Sequence, residues 1–245
     1  MNNIVFDDVF MKGGSSSTLP PHLILLLEAM TSQLHWYPDP EGIYKLIAEE
    51  FRPAEVLHSR FHKEKDHIQE AKHFNQLILE SLNDQIMYAL SQVLLSECFS
   101  EVSGQHDFVM KFADLWDGSE GCAWHSDAIE GGAFVVLIYL TDYDDWDDAL
   151  GGQFEYGKVP YRDGDNCLIH YVDRADEIVS NGIVSPANGT MVVVNNHNHF
   201  MAHRCFQLTR PEEKRITITL GFDLKVKDDF QVQSKVLWPN HVAVS

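Results

Sequence analysis

The stretch Ala133-Phe134-Val135-Val136-Leu137-Ile138-Tyr139-Leu140 decides how this chain is read. A half-buried strand alternates apolar and polar residues, because successive side chains point to opposite faces. Here both alternating sets are apolar, so the segment is expected to be a central strand covered on both sides. On its flanks, Phe108 to Phe112, Gln153 to Tyr156, Cys167 to Val172, Thr190 to Asn195 and Arg215 to Phe222 read as further short strands, separated by Gly, Asp, Asn and Pro clusters. The N-terminal part has a different period. Leu23, Leu26, Leu27, Met30 and Leu34 recur at helical spacing behind Pro20 and Pro21, with Thr18 as a candidate cap. The preceding Gly13-Gly14-Ser15-Ser16-Ser17 reads as a flexible loop. A second helix is expected over Gly42 to Phe51, and a long one carries Leu82, Ile86, Leu90 and Val93 on one stripe towards Cys98.

Helices first and many short strands afterwards argue for an α+β, mainly β protein, a sandwich or barrel with N-terminal helices packed on its outer face, and against an alternating βαβ fold. The expected organisation is a helical region at 1–104, a core at 105–225 and a C-terminal extension at 226–245.

Charge narrows the partners. Among 245 residues, 18 Lys+Arg stand against 37 Asp+Glu, and 18 − 37 = −19. Such a chain repels a nucleic-acid backbone and an anionic membrane, so neither is expected as a partner. An anionic small molecule would need a local cation. The 44% hydrophobic content is enough for a packed core. Four cysteines without a CxxC spacing read as reduced thiols rather than a zinc knuckle or disulfide framework. The N-terminus lacks the pattern of a signal peptide, and the run Phe134 to Leu140 is far shorter than the roughly 20 residues of a membrane helix. A soluble cytoplasmic protein is expected. His58, His62, His67 and His73 lie in a charged stretch and read as a solvated helix face.

The chemistry concentrates in Trp124-His125-Ser126-Asp127. In extended backbone His125 and Asp127 point the same way, so an imidazole and a carboxylate can grip one metal ion. A third ligand must come from another strand; His203 fits, and His199 is the alternative. Two His and one Asp form the facial triad of non-haem Fe(II) oxygenases, which leaves open positions for a chelating co-substrate and O2. Arg215 follows in Arg215-Ile216-Thr217-Ile218-Thr219, where alternation places Arg215, Thr217 and Thr219 on one face. A guanidinium beside hydroxyls is a receptor for a carboxylate.

With these residues in place, the stretch from His125 to Asp223 resembles the core of the Fe(II)/2-oxoglutarate-dependent dioxygenases, in the prolyl-hydroxylase-like branch. The matching segments run in the family's order: His125-Ser126-Asp127, Leu137 to Thr141, Gly151-Gly152-Gln153-Phe154, Gly189 to Val194, His203-Arg204, and Arg215 to Thr219. The resemblance implies a double-stranded β-helix, or jelly roll, with Fe(II) held by His125, Asp127 and His203. It implies Arg215 on the distal carboxylate of 2-oxoglutarate, with Tyr139, Thr217 and Thr219 as further residues of that pocket. O2 would be the second co-substrate and ascorbate a stimulant. The spacing from His203 to Arg215 is longer than the family pattern, and an extra turn is expected over Gln207 to Glu213.

The activity so implied is oxidation of an unactivated C–H bond of a small molecule, such as an amino acid or a natural-product intermediate, with release of succinate and CO2. A prolyl-type protein hydroxylase is the alternative, and a non-catalytic 2-oxoglutarate-binding module a more distant one. Lys111, Trp116, Trp124, Glu130, Tyr143 and Trp146 are candidates to line the substrate. The loop Asp142 to Asp148, with five aspartates, is a candidate for attracting a cation. The sequence carries no sign of oligomeric state.

Overall fold

The computed structural model describes residues 2–5, 14–33, 37–38, 55–58, 65–93, 99–112, 122–125, 134–159, 172–195, 201–209, 215–226 and 230–233. In chain order the elements are β1 (Asn2–Val5), β2 (Gly14–Thr18), α1 (Pro21–Thr31), β3 (Tyr37–Pro38), β4 (Glu55–His58), α2 (Lys65–Ser91) and β5 (Phe99–Phe112). Then come β6 (Cys122–His125), β7 (Phe134–Leu140), β8 (Phe154–Lys158), β9 (Val179–Val184), β10 (Thr190–Asn195), β11 (Met201–Cys205), β12 (Arg215–Val226) and β13 (Phe230–Gln233).

Strand β7, apolar on both alternating sets, is central, and every one of its residues is buried. It pairs antiparallel with β10 on one side and β12 on the other. The full sheet is seven-stranded, in the order β2-β10-β7-β12-β5-β4-β3, and a second, four-stranded sheet runs β6-β11-β8-β9. Every pairing within these two sheets is antiparallel. The protein is therefore mainly β with two antiparallel sheets, as expected. Strands β1 and β13 form a separate parallel pair.

The two faces of β7 explain why both of its residue sets are apolar. Phe134, Val136, Ile138 and Leu140 join Met191, Val193, Ile218 and Leu220 in a core with Leu23 and Leu27 of α1 and Ile78, Leu82, Ile86 and Leu90 of α2. Val135, Leu137 and Tyr139 face the other way and pack with Val192 and Val194, and with Phe154 and Tyr156 of the four-stranded sheet. The helices thus cover one face of the large sheet, and the small sheet covers the other.

Several local expectations need correction. Residues 14–18 are not a loop: Gly14–Thr18 is the edge strand β2, hydrogen-bonded along β10. The run is small and polar because it is an edge strand, with Ser16, Ser17 and Thr18 exposed. Gly14 is needed there, since a Cβ would lie 2.8 Å from the Val193 carbonyl and 3.1 Å from the Tyr156 ring. Thr18 consequently ends a strand rather than capping α1, whose N-cap is Pro20, with no side-chain cap bond. Finally, α2 stops at Ser91 rather than reaching Cys98, and Val172 opens a short 3-10 segment, Val172–Glu177, instead of ending a strand. Leu26 is 39% exposed, so α1 uses a narrower stripe than its leucines suggest. The expected helix over 42–51 and residues 167–171 lie outside the described residues.

Candidate active site

Two strands of the small sheet carry the histidines. His125 ends β6, His203 is central in β11, and the two are directly opposite in the register. Opposite residues point to the same face, and the two rings meet edge-on with centroids 4.3 Å apart. Both side chains are buried, at 4% and 8% exposure. Their face is the interior one: the Phe154 ring, part of the inter-sheet core, lies 5.4 Å from the His203 ring.

A β-bulge aims His125. The register runs from His203↔His125 to Cys205↔Cys122, so two residues of β6, Ala123 and Trp124, stand against the single Arg204 of β11. Bulges of this kind redirect side chains. The Ala123 carbonyl lies 2.7 Å from Nδ1 of His125. With Nδ1 donating to it, the imidazole lone pair is on Nε2, the tautomer suited to a metal.

Across the interior stands β12. Its residues alternate as expected: Ile218 and Leu220 face the helices, while Arg215 and Thr217 are buried among the inner residues at 1% and 6% exposure. Thr217 is opposite Tyr139 of β7, and the Arg215 guanidinium carbon is 5.5 Å from the centre of the Tyr139 ring. Nη1 of Arg215 donates to the Gly152 carbonyl. A fully buried guanidinium inside an apolar sandwich is costly unless its charge is matched. The Tyr139 hydroxyl and the Thr217 Oγ1 are buried with no hydrogen-bond partner among the described residues. Orphan polar atoms are rare in folded proteins, because each costs about 1–3 kcal/mol. Two of them beside an arginine fit a carboxylate that accepts from all three. Burial pushes the Tyr139 hydroxyl far up from its usual ionisation range; the nearby Cys205 adds to the rise and Arg215 works against it. The phenol is therefore a neutral donor at ordinary pH. Thr219 lies two residues further along β12, opposite Leu137 and half-buried.

The Gly151-Gly152 pair delivers the carbonyl that takes Arg215. Both have positive φ, 75° and 76°, a region open mainly to glycine. A Cβ on Gly151 would sit 1.7 Å from the Gln207 carbonyl oxygen, and one on Gly152 would sit 2.7 Å from Leu208. The backbone here is pinned to residues 207–209 by Gly152 N–H to Gln207 O and Thr209 N–H to Leu150 O. The part of the expected extra turn over Gln207 to Glu213 that is described, 207–209, bridges back to Gly151 in this way. The role of these glycines was missed from sequence, although a double glycine just before a strand is a signal of close backbone approach.

Several expected residues behave differently. Trp124 does not face the interior; it is buried on the outer side of the small sheet with Val159, Ala202 and Ile178. Trp146 is buried, and its indole N–H donates to the Gly151 carbonyl, a role in supporting the loop. Tyr143 is half-exposed and stacks edge-on against Trp146. In the acidic loop Asp147 caps the turn Asp148–Leu150, and Asp148 accepts from Ser185, so two of its carboxylates are engaged locally. Asp127, His197, His199, Trp116 and Glu130 lie outside the described residues, and Lys111 is on β5 opposite Ile216. Among the described residues no three His, Cys, Asp or Glu side chains gather as a metal site; His125 and His203 are brought together as a pair, and the expected third ligand, Asp127, lies outside the described residues. No described helix is long and apolar enough to cross a membrane.

No protein-family model and no curated protein matches the chain. Solved structures do. A carbocyclase of nogalamycin biosynthesis, described as non-heme and alpha-ketoglutarate-dependent, superposes with a TM-score of 0.52 at 10% identity, covering 87% of this chain and 80% of its own. An oxidoreductase of the 2OG-Fe(II) oxygenase family from Burkholderia pseudomallei gives 0.50 at 14% identity, covering 86% and 84%. The alpha-ketoglutarate-dependent epimerase of nogalamycin biosynthesis gives 0.50 at 11%, covering 87% and 77%. The chain has the fold of the 2OG-Fe(II) oxygenases.

Proposed function

We propose that this protein is an Fe(II)- and 2-oxoglutarate-dependent dioxygenase that oxidises an unactivated C–H bond of a small molecule. The observation that carries the reading is the sandwich interior: His125 and His203 meet across adjacent strands, and Arg215 stands beside two orphan hydroxyls in the same interior. In this reading the sandwich is the jelly-roll core of residues 105–225, with the N-terminal helical region of 1–104 packed on it and 226–245 as a C-terminal extension. His125, Asp127 and His203 hold the metal. Arg215 pairs with the distal carboxylate of 2-oxoglutarate, and the Tyr139 and Thr217 hydroxyls donate to the same group. Thr219 is a more distant member of that pocket. Structural neighbours that are natural-product oxygenases support a small-molecule substrate, an amino acid or such an intermediate. The activity is placed in the cytoplasm, with no nucleic acid or membrane as partner.

The metal, with 2-oxoglutarate and O2, supplies the oxidising chemistry and leaves succinate and CO2. The chain's own contribution is placement. Arg215 matches the co-substrate charge where water is excluded, so the pairing is stronger than at a surface. Tyr139 keeps its proton and serves as a donor rather than a competing anion. The Ala123 carbonyl fixes the His125 ring. Val135, Leu137, Val192 and Val194 keep the floor of the site dry.

The test is succinate release from 2-oxoglutarate under air, with Fe(II), ascorbate and pooled amino acids and metabolites. Wild type is expected to release succinate in at least one pool, and His125→Ala to lower the rate by about 1,000-fold or more, the scale of losing an essential catalytic group. Equal succinate from both proteins would sink the assignment.

A further inference from the structure

We infer that Arg204 is a positioning residue, which acts from the outer side of the small sheet to hold the bulge that aims His125 at His203. This rests on the metal reading above.

Arg204 follows His203 on β11 and so points away from the interior. It is the one residue of β11 that stands against the two-residue bulge of β6. Its Nε and Nη2 both lie 2.7 Å from Oε2 of Glu155, its register partner on β8. Its guanidinium is also stacked between two rings, with its carbon 4.7 Å from the Trp124 ring centre and 4.6 Å from that of Phe206. Trp124 is the bulge residue next to His125, and Glu155 is next to Phe154, which packs on the His203 ring. One side chain therefore ties together the three strands that carry or contact the two histidines.

The energetics favour a real constraint. Glu155 is buried to 7% side-chain exposure, with Arg204 at 24%, so this pair is far less screened than a surface ion pair. A flat cation between two aromatic faces gains further from each ring. Trp124 itself is pinned by Val159, Ala202 and Ile178. A bulge has no ladder partner for its extra residue, so its conformation depends on such side-chain contacts. Lysine would keep the charge but lose the fork and the flat stack.

Co(II) binding to the metal-free protein tests this, with its visible spectrum and dissociation constant as readouts and the melting temperature of the metal-free protein beside them. Arg204→Met is expected to weaken Co(II) binding by about tenfold or more and to alter the Co(II) spectrum, the scale of losing a group that orients a ligand. Arg204→Lys should recover part of the loss. Leu82→Ala, a cavity between helix and sheet far from β6 and β11, should lower the melting temperature but leave Co(II) affinity within about twofold. If Arg204→Met does not fold, Glu155→Gln removes the charge at constant shape and is expected to weaken binding in the same direction. Parent-like Co(II) binding in the folded variant, with His203→Ala abolishing it, overturns the positioning role and leaves the metal site standing. No binding by the parent, or equal binding by His203→Ala, overturns both.

Discussion

The large sheet has two faces that are equally buried and chemically unlike. Towards α1 and α2 it presents Phe134, Val136, Ile138, Leu140, Met191, Val193, Ile218 and Leu220. Towards the small sheet it presents Val135, Leu137, Val192 and Val194, but also Tyr139, Arg215 and Thr217. Burial alone does not distinguish them, since Arg215 is as covered as any leucine. What differs is whether the buried groups are satisfied by the protein. The helix face is apolar throughout and needs nothing further. The inner face holds a buried cation beside two hydroxyls, those of Tyr139 and Thr217, that have no hydrogen-bond partner among the described residues, an arrangement that hydrophobic packing would not retain for its own sake. One face holds the sheet together, and the other buries polar groups that, on the proposed function, would meet a ligand.

That contrast can be broken first by emptying each face in turn. Leu82→Ala on the helix side is expected to cost about 2–5 kcal/mol of unfolding free energy, because the cavity adds to the lost transfer term. Measured by urea denaturation, this variant should keep the parent's affinity for 2-oxoglutarate. Arg215→Met on the inner side should do the reverse. It keeps an unbranched stem in the space and removes a buried charge, so stability is expected to hold or rise. The affinity for 2-oxoglutarate, read by calorimetry in the presence of Mn(II), should fall about 100-fold, or about 2.7 kcal/mol. If Arg215→Met instead unfolded the protein with unchanged ligand affinity in what remained folded, the inner face would be a core like the outer one.

The two faces also differed in how well the sequence disclosed them. The helix face and the centrality of β7 follow from period alone: a run apolar on both alternating sets has to be covered twice. Arg215 and Thr217 were legible because β12 switches between apolar and polar every second residue. His125 and His203 were legible as residue types, but their direct opposition was not, since it depends on a bulge over Ala123 and Trp124 that no local pattern announces. Trp124 was misplaced for the same reason. It precedes His125 in a strand, so it points to the outer side, where a tryptophan needs a partner, and Arg204 supplies one. The run Gly13 to Ser17 reads as a loop because an edge strand with an exposed face has no reason to be apolar, and the pairing of Gly14–Thr18 with β10 is a long-range fact. The Gly151-Gly152 turn was visible as a motif, but its purpose, presenting a carbonyl to Arg215, appears only when β8 and β12 are in space together.

The smallest expected effect is the sharpest probe of the inner face, because it changes one atom. Tyr139→Phe deletes a hydroxyl that has no hydrogen-bond partner among the described residues. In a satisfied core such a deletion costs a hydrogen bond, about 1 kcal/mol. Here it removes an unmet donor, so unfolding free energy should be unchanged or slightly higher. The affinity for 2-oxoglutarate should drop by about 15-fold, or about 1.6 kcal/mol, the lower end of the value of one hydrogen bond to a charged group. The pH dependence provides an independent sign. Burial raises the Tyr139 ionisation in the folded state, while the unfolded phenol titrates near its ordinary value of about 10. Above that pH the unfolded state sheds a proton that the folded state keeps, so the unfolded state binds fewer protons and stability falls as pH rises. Below pH ~10 the contribution is fully present. Melting temperatures taken at pH 9 and pH 11 should therefore fall more for wild type than for Tyr139→Phe. Equal losses in the two proteins would place the Tyr139 hydroxyl in contact with water. The inner face would then be a wet cleft rather than a dry receptor waiting for a carboxylate.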